Sequence, residues 1–172
     1  MTIYYIITKY LTFPGAFLRT FWEQFMCKAM KLPIENNKCL QTNEMCGHIE
    51  HEMVNEKAKS FWFTFIPGLL VFIAGMIFFV PSLINIYFLG VSNPVLKIAM
   101  YVLLYFAFSC FTNIFPGIED AMVMWENYKG LKTGLKILFA PGAVIMYAGA
   151  YLEKFGITFI TNALIAAAII IL

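Results

Sequence analysis

Apolar residues run along this chain in long blocks, separated by one extended polar interruption. Phe61 to Val80 is a near-uniform apolar run of 20 residues, the length an α-helix needs to cross a bilayer at about 1.5 Å of rise per residue. Pro67-Gly68 predicts a kink within it and Pro81 predicts its end. Ile98 to Phe115 reads as a second span, closed by Pro116-Gly117. Between the two lies a short connection, Ser82 to Leu96, whose turn signal is Ser92-Asn93-Pro94. Ile137 to Leu152 is a third apolar stretch, and Phe155 to Leu172 follows after the interruption Glu153-Lys154. These last two fit either two short spans or one long bent helix.

The N-terminal part is apolar from Met1 to Leu18 but is broken by Lys9 and by Phe13-Pro14-Gly15. This predicts a short interfacial piece, a break, and a helix that starts at Pro14, where proline suits a first turn, and ends near Leu32 ahead of Pro33. Without a basic n-region or a small-x-small cleavage site, Met1 to Leu18 is not expected to be a cleaved signal peptide. Charge dominates from Glu35 to Lys59, the long polar segment, and again from Glu119 to Lys136, which ends in basic residues. No internal repeat or low-complexity linker divides the chain. The expectation is one integral membrane domain over 1–172 with a polar insert at about 33–59.

Composition makes the membrane class hard to avoid. The chain is 61% hydrophobic and 13% charged, against about 25% charged in a soluble domain, and its mean hydropathy is +0.77. A water-soluble chain of 172 residues could not hide that much apolar surface. The net charge of +2 excludes nucleic acid as the expected partner. Cys27, Cys39, Cys46 and Cys110 make no disulfide framework in so apolar a chain. Basic residues cluster between Arg19 and Lys59 and between Lys129 and Lys136, while Pro81 to Leu96 has none. The positive-inside rule then places loops 33–59 and 119–136 in the cytoplasm, and Cys39 and Cys46 in a reducing compartment. The predicted fold is an all-α polytopic protein of the cell membrane. It has about four to five transmembrane or re-entrant helices and a small cytoplasmic β-like segment near 44–54.

Candidate chemistry concentrates in "CGHIEHE", Cys46 to Glu52, which holds both histidines. Three geometries compete. On a helix, His48 and His51 would share a face as an i, i+3 ligand pair. Alternatively, Cys39, Cys46, His48 and His51 would make a structural zinc site, although their spacing matches no common zinc module. On a strand, Cys46, His48, Glu50 and Glu52 face one way and His51 the other, so the histidines could not share a metal. The string H-E-x-x-H is absent.

Two further stretches carry a family resemblance. "FPGAFLRTFWEQFMCKAMKLPI", Phe13 to Ile34, resembles the first core helix of the M50 membrane zinc peptidases, the site-2 protease family, in which an apolar Pro-Gly start leads into H-E-x-x-H. "NIFPGIED", Asn113 to Asp120, resembles that family's later Asn-x-x-Pro-x-x-x-Asp motif, whose aspartate completes the zinc site. The resemblance covers roughly Phe13 to Asp120 and implies that GHIEHE is the β-like part, and it fails at the chemistry. The metal histidines fall on Arg19 and Glu23 and the general base on Thr20. Arginine is no zinc ligand, and threonine cannot deprotonate a metal-bound water. Only Asn113, Pro116 and an acid, Asp120 or Glu119, remain. The resemblance therefore implies a pseudoprotease of a bacterial inner membrane, without cofactor. Its former site would hold a polar cluster of Arg19, Thr20, Glu23, Asn113, Glu119 and Asp120, with Arg19 held by Glu23 and by Asp120 or Glu119. The alternative placement puts Arg19 and Glu23 at the cytoplasmic interface.

Other features read more plainly. Phe61 to Gly68 looks like an aromatic belt at a span entrance, and Met122, Met124 and Trp125 like one face of an amphipathic helix. Ala148, Gly149 and Ala150, with Ala163 and Ala166 to Ala168, suit close helix packing in lipid. No Ser-His-Asp set, phosphate loop or chain of intramembrane carboxylates stands out. The leading expectation is a non-catalytic membrane protein that associates with another membrane protein or complex, or with itself as a homo-oligomer. The alternatives are an atypical zinc metallopeptidase using His48, His51, Glu52 and Asp120, and a small transporter or channel subunit.

Overall fold

A computed structural model describes residues 2–43, 45–90 and 93–171. Glu44 of the β-like segment and Ser92 of the turn signal lie outside the described residues. In order, the elements are α1 (Thr2–Leu11), α2 (Phe13–Met30), β1 (Ile34–Asn36), β2 (Glu50–His51), α3 (Lys57–Leu83), α4 (Pro94–Thr112), α5 (Ile118–Lys129), α6 (Thr133–Lys154) and α7 (Ile157–Ile171). The chain is mostly helical, and three stretches are long and apolar enough to cross a membrane: Lys57–Phe88, Pro94–Thr112 and Thr133–Lys154.

Several boundaries differ from the sequence expectation. Pro81 does not end α3, which continues through it and then as a π-helix over Ile84–Phe88. Ser82 Oγ and Asn85 Nδ2 hydrogen-bond the carbonyls of Phe78 and Pro81, at 2.6 and 2.8 Å. Proline leaves the Ile77 carbonyl, one turn earlier, without its backbone N–H, and α3 nevertheless continues past it. Helix α2 stops at Met30, before Pro33, because Lys31 turns left-handed (φ 57°) and the Leu32 N–H returns to the Cys27 carbonyl at 2.9 Å. The β-like segment is smaller than 44–54. It is a two-stranded antiparallel ladder in which Ile34 faces His51 and Asn36 faces Glu50. His48 lies outside it, in the turn that precedes β2.

Helices α3 and α4 form an antiparallel hairpin. Gly75 packs on Phe111 and Cys110, and Phe78 meets Phe106 at 5.9 Å. Helix α2 runs parallel to α4, with Gly15 beside Ser109 and Arg19 beside Ile114. A Cβ at Gly15 would stand 2.1 Å from the Ser109 carbonyl oxygen, so this crossing tolerates only glycine. Helix α6 accompanies the first half of α3, with Phe139 stacked on Phe61 at 4.4 Å and Met146 against Gly68. Helix α7 continues beside α4, with Phe159 on Phe108 at 5.6 Å and Asn162 bonded to Thr112. The two therefore proceed in one direction along the hairpin, as a long helix bent at Gly156 (φ 73°). Two apolar clusters bracket the middle of the bundle. One joins Met26, Cys27, Ile49, Val54 and Phe63, the other Phe61, Met124, Phe139, Ala143 and Met146.

Candidate functional site

Between those clusters lie the polar side chains that an apolar bundle can least easily hide. Arg19 and Glu23 are one turn apart on the inner face of α2, each 1% exposed. The guanidinium donates from Nε to Glu23 Oε1 at 2.7 Å, from Nη1 to the Ile114 carbonyl at 2.6 Å and from Nη2 to the Thr64 carbonyl at 3.4 Å. It thereby ties α2 to α3 and to the α4–α5 connection. Glu23 also receives His48 Nδ1 at 2.8 Å and the Ile49 N–H at 3.3 Å. A carboxylate only accepts, so His48 carries its proton on Nδ1. His48 Nε2 is buried and has no hydrogen-bond partner among the described residues. Thr20 Oγ1 lies 2.9 Å from the Ala16 carbonyl, 3.2 Å from the Gly47 carbonyl and 3.3 Å from Cys39 Sγ.

A second network adjoins the first. Lys9 is buried, pairs with Glu153 and donates to Asn113 Oδ1 at 2.8 Å. Asn113 Nδ2 donates to Thr12 Oγ1 at 2.9 Å and the Ser109 carbonyl at 2.8 Å, and the Phe115 N–H reaches Glu153 Oε2 at 3.2 Å. Gly47 (φ 84°) lies directly against the Lys9 stem, linking the hairpin to this second network. A buried charge costs several kcal/mol unless it is paired and its remaining protons and lone pairs are satisfied. Each network pairs its cation with a carboxylate and draws further bonds from residues far apart in sequence.

The six residues expected in one cluster therefore divide. Arg19, Thr20 and Glu23 stand together, while Asn113 belongs to the neighbouring Lys9–Glu153 network. Asp120 lies with His51, at 3.4 Å from Nε2, and not with Arg19. Glu119 is exposed. His51 donates from Nδ1 to the Glu52 carbonyl at 2.8 Å, so Nε2 reaches Asp120 as a donor only when the ring is protonated. Burial works against that charge most strongly, but the Asp120 hydrogen bond and charge, with the Glu52 carbonyl, outweigh it and lift the ring to about 9. The two histidines serve different acids, as the strand reading expects, though only His51 is in a strand. Cys39 is half-buried and Cys46 fully buried, and burial pushes both thiols up, away from the thiolate a metal would need. Among the described residues, no three His, Cys, Asp or Glu side chains converge on one point.

Sequence reading missed Lys9, Thr12, Ser109 and Glu153. Two signals were available: a lone lysine in an apolar N-terminal stretch and a lone acid between two apolar blocks. Charges of opposite sign in apolar segments are candidates for pairing. The surroundings also include a cavity of about 120 Å³ beside Tyr5, Met122 and Glu153. A wider groove of about 520 Å³ is lined by Glu35, Glu50, Glu52, Glu119, Asp120 and His51. Comparison with protein-family models, curated proteins and solved structures finds no match.

Proposed function

We propose that this chain is a non-catalytic integral membrane protein that works by associating with another membrane protein or with further copies of itself. One observation carries the reading. The three positions that bear the catalytic string in the M50 resemblance are Arg19, Thr20 and Glu23, and all three are buried and bonded within the protein. A hydrolytic site needs an open position for water and substrate at its reactive groups. Here Glu23 accepts from three donors, and Arg19 is spread over a carboxylate and two carbonyls, so the groups act as a structural clasp. The M50-like core, the cytoplasmic placement of 33–59 and 119–136, and residence in the cell membrane belong to this proposal. It is supported by the three long apolar helices and by the side-by-side placement of Arg19 and Ile114, next to Asn113.

Extraction of the full chain in polymer nanodiscs, with mass measurement and identification of every component, tests it. The expected result is a stoichiometric assembly with a partner or as a homo-oligomer. Recovery solely as a monomer overturns the reading. Elemental analysis of the same particles addresses the metallopeptidase alternative: one zinc per chain, lost in His48→Ala, would replace the proposal.

A further inference from the structure

Helices α1 and α2 have an inverted surface. Phe13, Phe17, Phe21 and Phe25, spaced four apart, all stand about half-exposed, and Ile3 and Ile7 extend the stripe along α1. Of the charged groups, Lys9, Arg19 and Glu23 turn inward and are buried, and only Lys28, in the last turn of α2, is exposed. A helix facing water would have the opposite arrangement.

The register against α4 sets the depth. Tyr105 OH donates to the Leu11 carbonyl at 2.8 Å, Gly15 N to Ser109 Oγ at 2.7 Å, and Arg19 meets the Ile114 carbonyl. Helix α4 begins at Pro94, so about 16 Å of it rises beyond the level of Leu11. The chain does not climb further. Lys9 meets Asn113, Glu153 and Gly47, and Tyr5 shares a cavity with Met45, Ile118 and Met122. Lys9 and Tyr5 therefore both lie nearer the β1–β2 end of the bundle than Leu11 does.

The bend between α1 and α2 is built for an apolar setting. Pro14 lacks an N–H, and Thr12 leaves helical geometry (φ −110°, ψ 36°). The Leu11 carbonyl is taken by Tyr105, the Thr12 carbonyl by Ser109 Oγ at 2.7 Å and Asn113 Nδ2 at 3.3 Å, and the Gly15 N–H by Ser109 Oγ. Non-helical backbone at membrane depth persists only where protein groups satisfy it.

We infer that α1 and α2 form a re-entrant element that dips into one leaflet and returns to the side of the β1–β2 hairpin, presenting its phenylalanine stripe to acyl chains. The inference rests on the membrane reading above. The chain then crosses the bilayer three times, through α3, α4 and the bent α6–α7 unit.

The test uses sealed vesicles holding the full chain with Cys39→Ser, the other thiols being buried, and one added cysteine. With a membrane-impermeant maleimide, Asn93→Cys and Asn127→Cys mark opposite sides. A cysteine added ahead of Met1 is expected to label only from the side that labels Asn127→Cys. Labelling from the Asn93 side overturns the re-entrant path and makes α1–α2 a crossing. Labelling of the two reference positions from one side overturns the membrane reading itself. A nitroxide at Phe17→Cys is expected to relax with oxygen and not with a water-soluble nickel complex. Relaxation by nickel, or shielding from both by a second copy, overturns the lipid contact.

Discussion

Removing Arg19 separates a clasp from a surface ornament. In Arg19→Ala the Glu23 carboxylate stays buried with only His48 and the Ile49 N–H to hold it, and the Ile114 and Thr64 carbonyls lose a donor. Breaking a buried pair from one side costs about 3–5 kcal/mol, because the remaining charge is uncompensated. A solvent-exposed pair is worth about 0–1 kcal/mol. At about 2–4 °C per kcal/mol for a chain of this size, the buried case lowers the melting temperature by about 6–20 °C. Thermal unfolding of purified protein in mild detergent reads the shift. Arg19→Lys recovers little of it, because one ammonium cannot reproduce a planar fork aimed at three acceptors on two sides. Glu23→Gln combined with Arg19→Ala loses much less than the sum of the single variants. Asp120→Asn combined with Arg19→Ala is additive, since Asp120 lies with His51. A melting point for Arg19→Ala within 2–3 °C of the parent, or strong coupling to Asp120, refutes the clasp.

Further expectations follow from the other contacts. Gly15→Ala drives a Cβ into the Ser109 backbone and is expected to abolish monodisperse protein in size-exclusion chromatography, whereas at Gly134, where nothing lies within 4 Å of a built Cβ, the same change leaves the elution profile intact. His51 is expected to titrate near 9 in NMR and to fall in Asp120→Asn. Because its folded value lies above the unfolded one of about 6.5, the stabilisation by the pair is complete below about pH 6.5 and is lost as pH rises through about 9. Lys9→Met and Glu153→Gln are each expected to lower the melting temperature, by about 3–5 kcal/mol worth. Their combination recovers part of the loss, and simple additivity of the two would show that they do not touch.

The long apolar helices were legible because their length and apolarity are displayed directly in Phe61 to Val80 and Ile98 to Phe115. The helix carrying Arg19 and Glu23 could also be read from spacing, whereas the strand alternation offered for His48 and His51 does not apply, because His48 lies in the turn before β2. Helix ends were less legible. Pro81 normally stops a helix, but α3 runs through it into a π-helix, and no local pattern marks that continuation. The partner of Asp120 was misread for a related reason. Spacing along α2 fixes Arg19 against Glu23, but whether a distant acid meets Arg19 or His51 depends on where α5 starts relative to β2. The Lys9–Glu153 pair is the most non-local feature, and no periodicity connects its members.

That pair also bears on how the protein is made. Glu153 follows Lys9 by 144 positions in the chain. At about 5–20 residues per second, the lysine waits about 7–30 s for its counter-ion. Until then a nascent chain holds a cation that the acid on α6 has yet to neutralise. Chains cut short before Glu153 keep that defect for good, so the pair marks whether α6 has been made and has docked.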